Sequence, residues 1–319
     1  MRLIKEVGKM TIAEKRNAGL HKNKIGHILW CILRALLFIG LSYIILYPIL
    51  FCLSISVRLP SDMMDPTVIW LPKSFTLDNF KFVFEHTEFT AAYVRTLLLS
   101  LFCSVLQMFS CAVTGYGFAR FKFRGRGILF ALALLTFVVP PQIISMPLYI
   151  QYSKFTAMTA IPMINTIFPS TLSAFFAQGL KAGLFIYLFR QFFKNMPKEL
   201  EDAAYLDGCG PVKAFTSIML VNAGPMLLVS FVLSFVWYWN DYINMSLFFN
   251  KSKPLAMVLN GLTNTIRGMK LEDGTIFGDI ENSVYTTTFC MLFIVTPIVI
   301  YAILQKKFTE SLMSTSIVG

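Results

Sequence analysis

The stretch Asn195-Met-Pro-Lys-Glu-Leu-Glu-Asp-Ala-Ala-Tyr-Leu-Asp-Gly-Cys-Gly-Pro211 decides how the chain is read. Pro197 suits the first position of a helix, where the missing N–H is not needed. Glu199, Glu201 and Asp202 follow, and carboxylates favour the positive end of a helix. Leu200, Ala203, Ala204 and Asp207 fall at i, i+3, i+4 and i+7, which is one face. Two alanines at its centre let another surface approach closely. Gly208 is a natural residue for the position just past a helix end. Pro211 can open a second short helix with Val212, Phe215 and Met219 on one side. The spacing predicts two short helices joined by a glycine elbow. Pattern alone slightly favours a plainer reading, an amphipathic loop lying on a membrane surface.

Outward from that stretch, composition fixes the solvent. The chain has 319 residues, 56% of them hydrophobic and 14% charged, and its mean hydropathy is +0.65. Soluble proteins carry about 25% charged residues. There is too little polar surface here to coat a globule, so lipid must cover much of it. A net charge of +11 would suggest nucleic acid in a soluble protein. In a membrane protein it points to basic cytoplasmic loops. Cys31, Cys52, Cys103, Cys111, Cys209 and Cys290 include no CxxC pair, and all but Cys209 lie in apolar runs. They read as small buried hydrophobes. His21, His27 and His86 form no ligand pattern, so no metal site is expected.

Six apolar stretches are long enough to span a bilayer, which takes about 20 residues. They run from Ala35 to Val57, Thr96 to Phe118, Ile128 to Ile150, Thr166 to Phe189, Gly224 to Ile243 and Thr286 to Leu304. The first is too long for a signal peptide and lacks a small-residue cleavage site after it. The leader before it carries Arg2, Lys5, Lys9, Lys15, Arg16, Lys22 and Lys24. With the N-terminus inside, the inner segments hold 17 of the 28 Lys and Arg residues. This distribution predicts cytoplasmic termini and accounts for the charge without nucleic acid. The expected organisation is a basic cytoplasmic leader over 1–29 and a six-helix transmembrane domain over 30–319. A cytoplasmic loop at about 195–224 and an outer loop at about 244–283 complete it.

Two spans are irregular. The third contains Pro140, Pro141 and Pro147. It reads either as a bend lining a translocation path or as a helix that ends near Pro140. Lys181 sits within the fourth, flanked by Gln178, Gly179 and Gly183. That marks a polar cavity or broken helix, unless the span begins later. Arg34 and Arg95 lie near span ends and are expected to snorkel. Trp237, Tyr238, Trp239, Asn240 and Asp241 form the densest cluster of aromatic rings beside amide and carboxylate groups, a set that could stack on and hydrogen-bond a polar solute. An interfacial aromatic belt is the commoner cause of such a cluster. Lys251, Lys253, Arg267, Glu272 and Asp273 mark the outer loop as exposed.

The Glu201 to Pro225 stretch resembles the EAA loop of permeases from ATP-binding-cassette (ABC) importers. Glu201, Ala203, Ala204, Asp207, Gly208, Phe215, Leu220 and Pro225 match, while Cys209 replaces an alanine and Val221 a proline. Tyr116 to Gly125, Pro140 to Tyr149, Phe189 to Pro197 and Trp239-Asn-Asp241 are similar to further family segments. Together they resemble the carbohydrate-uptake subgroup, and within it the second permease of maltose-type systems. Ile317-Val318-Gly319, with Ser311 and Ser314, keeps only part of the family's C-terminal tail.

The resemblance implies the type I importer permease (MetI-like) fold, located in the cytoplasmic membrane. It implies that Glu201, Ala203, Ala204, Asp207, Gly208 and Phe215 serve ATPase coupling, with Glu201 as the charged contact. It implies a second permease, two ATPase subunits and an extracytoplasmic binding protein as partners. ATP and Mg would be used by the ATPase, with no cofactor bound by this chain. Indeed, no G-x-x-x-x-G-K-S/T loop is present. Candidate substrate-path residues are Lys181, Trp237, Trp239, Asn240 and Asp241. The alternatives are a same-fold permease for peptide, amino acid or phosphate, a secondary transporter, and a membrane enzyme. No inverted repeat supports a secondary transporter, and no catalytic constellation supports an enzyme.

Overall fold

The computed structural model describes the backbone of residues 2–269 and 277–316, and the side chains of residues 26–269 and 277–307. The architecture is all-α; among the described residues the only β pairing is a bridge between Arg58 and Phe75. The chain divides into two compact units, Met1–Phe75 and Thr76–Gly319.

The first unit is helix α1 (Arg2–Ser56) and a loop. Its Gly26–Ser56 part is long and apolar enough to cross a membrane, and leader and span form one continuous helix. The leader's basic side chains lie outside the described residues. The loop closes on Arg58, which is buried and donates to Ser54 Oγ at 2.8 Å and the Ile69 carbonyl at 2.7 Å. Asp62 accepts from the Lys73 amide at 3.0 Å. The Lys73 ammonium pairs with Asp65 and holds that carboxyl well below the usual carboxylate range.

In the second unit, α2 (Asp78–His86) leads into α3 (Phe89–Arg120), an unbroken 32-residue helix that crosses α7 (Ala182–Asn195) and α11 (Gly224–Trp239). The α3–α7 crossing needs Gly115. A Cβ there would stand 2.5 Å from Phe189 Cβ and 3.0 Å from the Arg190 amide. One core cluster gathers Phe89, Phe235, Trp239, Leu255, Leu262 and Phe289. A second gathers Tyr116, Phe185, Phe189, Phe193 and Met219. The last helix, α14 (Asp279–Ser316), is a further span over Asp279–Lys307.

Among the described residues, three helices are long and apolar enough to cross a membrane singly, or up to five if each bent pair counts as one span. The stretch Ile128 to Ile150 is not one helix. α4 (Arg126–Val138) stops and α5 (Pro141–Thr159) starts at 103° to it. The reason lies in Pro140 and Pro141: the first is extended at φ −59, ψ 132, and the second lacks an N–H and occupies the first turn of α5. Thr166 to Phe189 is likewise divided. α6 (Phe168–Phe175) ends, and α7 begins at Ala182 after Ala177 and Lys181 take left-handed backbone at φ 55 and 56. Span five ends at Trp239, short of Ile243, and starts with a 75° bend at Ala223-Gly224.

The segment expected to be an outer loop folds further than a loop would. α12 (Ile243–Phe248) and α13 (Leu255–Arg267) bury Met245, Phe248, Leu255, Leu262 and Ile266. Lys251, Lys253 and Arg267 are exposed as expected. Glu272, Asp273 and Ile317 to Gly319 lie outside the described residues, as do the side chains of Ser311 and Ser314.

Candidate functional site

The stretch first quoted forms the predicted helix–elbow–helix. α8 (Glu199–Leu206) begins two residues after Pro197, which therefore sits just ahead of the helix rather than at its first position. Glu199, Glu201 and Asp202 occupy its first turn. The elbow is a Schellman motif. The Cys209 amide donates to Ala204 O at 3.0 Å and the Gly208 amide to Tyr205 O at 3.1 Å, with Gly208 at φ 77. Pro211 opens α9 (Pro211–Ala214), which runs through a π turn at Phe215–Met219 into α10 (Leu220–Asn222).

The two faces of α8 differ. Glu201 and Ala204 are buried, while Asp202, Ala203, Leu206 and Asp207 are exposed. Glu201 Oε1 accepts from the Tyr116 hydroxyl at 2.6 Å. Its Oε2 lies 3.2 Å from Arg120 Nε, an ion pair without hydrogen-bond alignment at that nitrogen. Arg120 also donates from Nη2 to Met196 O at 2.9 Å. Both carboxylate oxygens are thus engaged inside the chain. Phe215 anchors the second helix on Tyr116, ring centroids 4.7 Å apart. What remains outward is an apolar edge, with Leu206 at 90% and Val212 at 77% exposure.

Elsewhere in the same unit, a cavity of about 420 Å³ opens where α4 yields to α5 and α6 to α7. Lys181, Asp241, Tyr238, Tyr152, Gln151, Gln178 and Asn244 are among the residues that line it. Polar α3 side chains, the buried Gln107 and the half-buried Ser110, hold the α6–α7 break. Gln107 Nε2 donates to Leu180 O at 2.7 Å and to Ser234 Oγ at 3.2 Å. Ser110 Oγ donates to Ala174 O at 2.6 Å. Gln107 Oε1 accepts from Tyr238 at 2.7 Å. Irregular backbone survives at membrane depth only where its polar groups find such partners.

The structure brings Lys181 and Asp241 to one cavity but separates the tryptophans from it. Trp239 is fully buried, with Nε1 donating to Phe293 O at 3.1 Å, so it offers no free face to a solute and is no interfacial belt residue either. Trp237 lies against Phe185, centroids 5.2 Å apart. Asn240 is exposed and donates to Val236 O in its own helix. Sequence reading missed Gln107, Ser110 and Ser234 as the support of the break. Their only signal was a polar side chain within an apolar run. Tyr116 and Arg120 stood within a quoted segment, but nothing local linked them to Glu201.

Several bilayer-length helices, and broken helices around a cavity, fit a multi-pass membrane protein. Residues 112–312 match the model of the binding-protein-dependent transport system inner membrane component, and the chain belongs to that family. It is a permease subunit of an ABC transporter, without an ATPase site, working with ATPase and substrate-binding-protein partners. The arabinooligosaccharides transport system permease protein AraQ of Halalkalibacterium halodurans is 31% identical over 66% of this chain and 74% of that protein. The trehalose transport system permease protein SugB of Mycobacterium tuberculosis is 26% identical over 86% and 93%. The crystal structure of a bacterial ABC transporter importing the acidic polysaccharide alginate contains a chain with the same fold. The TM-score is 0.71 at 19% identity, covering 88% of this chain and 96% of that one.

Proposed function

We propose that this chain translocates a sugar or oligosaccharide, delivered by an extracytoplasmic binding protein, as one half of a permease heterodimer. The observation that carries the reading is the relatives' shared cargo class: the two quoted above are named for arabinooligosaccharides and trehalose. The cavity at the helix breaks is lined mostly by apolar groups, with Gln151, Gln178, Asn244 and Tyr152 among the polar ones that could meet a hydroxylated solute. The chain is read as six spans, with α6, the break and α7 together making the fourth, and with both termini cytoplasmic. Residues 1–29 form the leader, 195–224 the coupling loop and 244–283 the outer segment. The chain binds no cofactor of its own, and ATP and Mg are used by two ATPase subunits.

The docking surface is the outward side of the coupling loop: Asp202, Ala203, Leu206, Asp207 and Val212. Glu201, Ala204, Gly208 and Phe215 hold that surface in shape from behind. This assignment gives Glu201 a positioning role instead of a direct charged contact. Uptake of a panel of labelled oligosaccharides by cells with and without this chain tests the cargo class. Uptake of saccharides that depends on the chain is expected. Chain-dependent uptake of peptides, amino acids or phosphate alone would overturn it.

A further inference from the structure

The seam between α4 and α7 ends in cations on both of its sides. Near its other end, Gly183 of α7 packs close to α4: a Cβ there would stand 2.4 Å from Ala133 O and 3.2 Å from Phe137 Cβ. Further along, Tyr187 and Arg190 both meet Phe130. The Tyr187 and Phe130 ring centroids are 6.4 Å apart, and the Arg190 guanidinium carbon lies 4.2 Å from the Phe130 centroid. The two helices are therefore antiparallel. Gly183, Tyr187 and Arg190 form the facing stripe of α7, and Phe137, Ala133 and Phe130 that of α4. One more turn on each helix brings Lys194, at i+4 from Arg190, and Arg126, at i−4 from Phe130, onto the same stripes. The seam thus ends between Arg126, Arg190 and Lys194, on the side where α7 leads into the coupling loop.

These cations are not neutralised from within the chain. Among the described residues no carboxylate oxygen lies within 4.0 Å of any of the three. Arg190 Nε has no hydrogen-bond partner there, and Arg126 donates from Nη1 to Phe121 O at 3.1 Å, which leaves its other donors available. The first turn of α4 holds no carboxylate, and Lys122 and Arg124 just ahead of it add two exposed charges. The surroundings identify the anion that fits. α4 buries none of its residues, and Leu129 and Leu132, beside the seam-facing stripe, are 51% and 52% exposed. Apolar surface therefore runs from the cations along α4, as acyl chains run from a phosphate. The Phe130 and Tyr187 rings at the same level match the aromatic enrichment of a membrane interface. An acidic face of a soluble protein would leave this apolar flank unused. Basic pockets between transmembrane helices bind anionic headgroups through this combination, and arginine suits phosphate. We propose that the coupling-loop end of the α4–α7 seam binds the headgroup phosphate of an anionic phospholipid, with Arg126, Arg190 and Lys194 as its counter-charges. The inference goes beyond the transport reading and does not depend on the cargo.

The test uses the complete importer, purified in detergent and given equal amounts of phosphatidylglycerol and phosphatidylcholine with matched acyl chains. Native mass spectrometry counts the lipid retained. Wild type is expected to prefer phosphatidylglycerol about tenfold, or more. The triple variant Arg126→Gln, Arg190→Gln, Lys194→Gln should lose most of that preference. Lys251→Gln with Lys253→Gln, at the far end of the molecule from this seam, should keep it. Equal retention of the two lipids by wild type, or a preference that survives the triple variant, overturns the proposal. Should the triple variant fail to assemble by size-exclusion chromatography, Arg126→Gln with Lys194→Gln leaves Arg190 on Phe130 and decides by the same criteria. Displacement of phosphatidylglycerol by millimolar inorganic phosphate would make this a site for a soluble anion and overturn the lipid assignment. Loss of ATPase co-purification in the triple variant, with lipid preference unchanged, would give the cations to an acidic protein surface and overturn it as well.

Discussion

Glu201 is engaged from inside the chain, behind the surface proposed to dock the ATPase. Its carboxylate is buried between the Tyr116 hydroxyl and Arg120, and Arg120 also holds Met196 O just ahead of α8. Removing the carboxylate leaves a buried guanidinium with one fewer partner, and breaking a buried pair costs on the order of 3–5 kcal/mol. Glu201→Ala is therefore expected to loosen α8 and to reduce co-purification of the ATPase, although Glu201 itself faces inward. A double-mutant cycle with Arg120→Met separates positioning from contact. The two losses should be strongly non-additive if the residues act as one tie. Strictly additive losses would sink the positioning role. Gly179 makes a second case. A Cβ there would fall on Gln107 Oε1 and the Tyr238 hydroxyl. Gly179→Ala should thus lower the thermal stability of the detergent-purified chain, and an unchanged melting temperature would show that the amide–phenol bond yields without cost.

Among the elements, α3 holds both the α6–α7 break and the proposed coupling loop. Gln107 and Ser110 hold the carbonyls of the α6–α7 break, while Tyr116 and Arg120 hold the coupling loop. The centres of the two groups are ~14 Å apart on one unbroken helix at 1.5 Å per residue. Gln107→Leu keeps the volume but leaves Leu180 O without its donor and the Tyr238 hydroxyl without its acceptor, a loss of about 1–3 kcal/mol for each buried group. The expected outcome is a lower melting temperature and uptake reduced well beyond any fall in membrane level. Normal uptake at normal level would mean that the break needs no support from α3. These elements also show what could be read in advance. The Gly208 elbow was legible because a Schellman motif is local, set by a few consecutive residues. The breaks were half legible: proline and glycine marked the places, but a bend and a stop share the same residues. The inward turn of Glu201 was not legible, since its partners Tyr116 and Arg120 lie more than 80 residues away in sequence. Trp239 misled for a related reason: aromatic density suggests a sugar platform, yet here it fills the core between α3, α11 and α14.

For the whole molecule, the fold turns orientation into a single question with several independent probes. Arg120 binds Met196 O, so the basic α3–α4 turn with Lys122, Arg124 and Arg126 lies at the same end as the coupling loop. The far end of α3 is tied just as firmly. Arg95 Nη1 donates to Lys253 O at 2.8 Å, and Asn165 Oδ1 accepts from the amides of Asn250 and Lys251. A helix of 32 residues separates the two ends, a length of ~48 Å that exceeds the ~30 Å hydrocarbon layer. The two loop groups must therefore face opposite sides, and the positive-inside rule decides which is which. The Arg120 to Arg126 turn and the coupling loop concentrate the basic residues, so they are expected in the cytoplasm. Alkaline phosphatase fused after Lys253 should be active, and fused after Arg124 or Lys213 it should be silent. A cytoplasm-only fluorescent reporter should give the reverse pattern at the same three positions. Phosphatase activity after Arg124 and Lys213 together would invert the molecule and place the coupling loop beyond reach of any cytoplasmic ATPase. Activity at only one of the two would contradict the Arg120–Met196 tie and with it the α3–α8 arrangement.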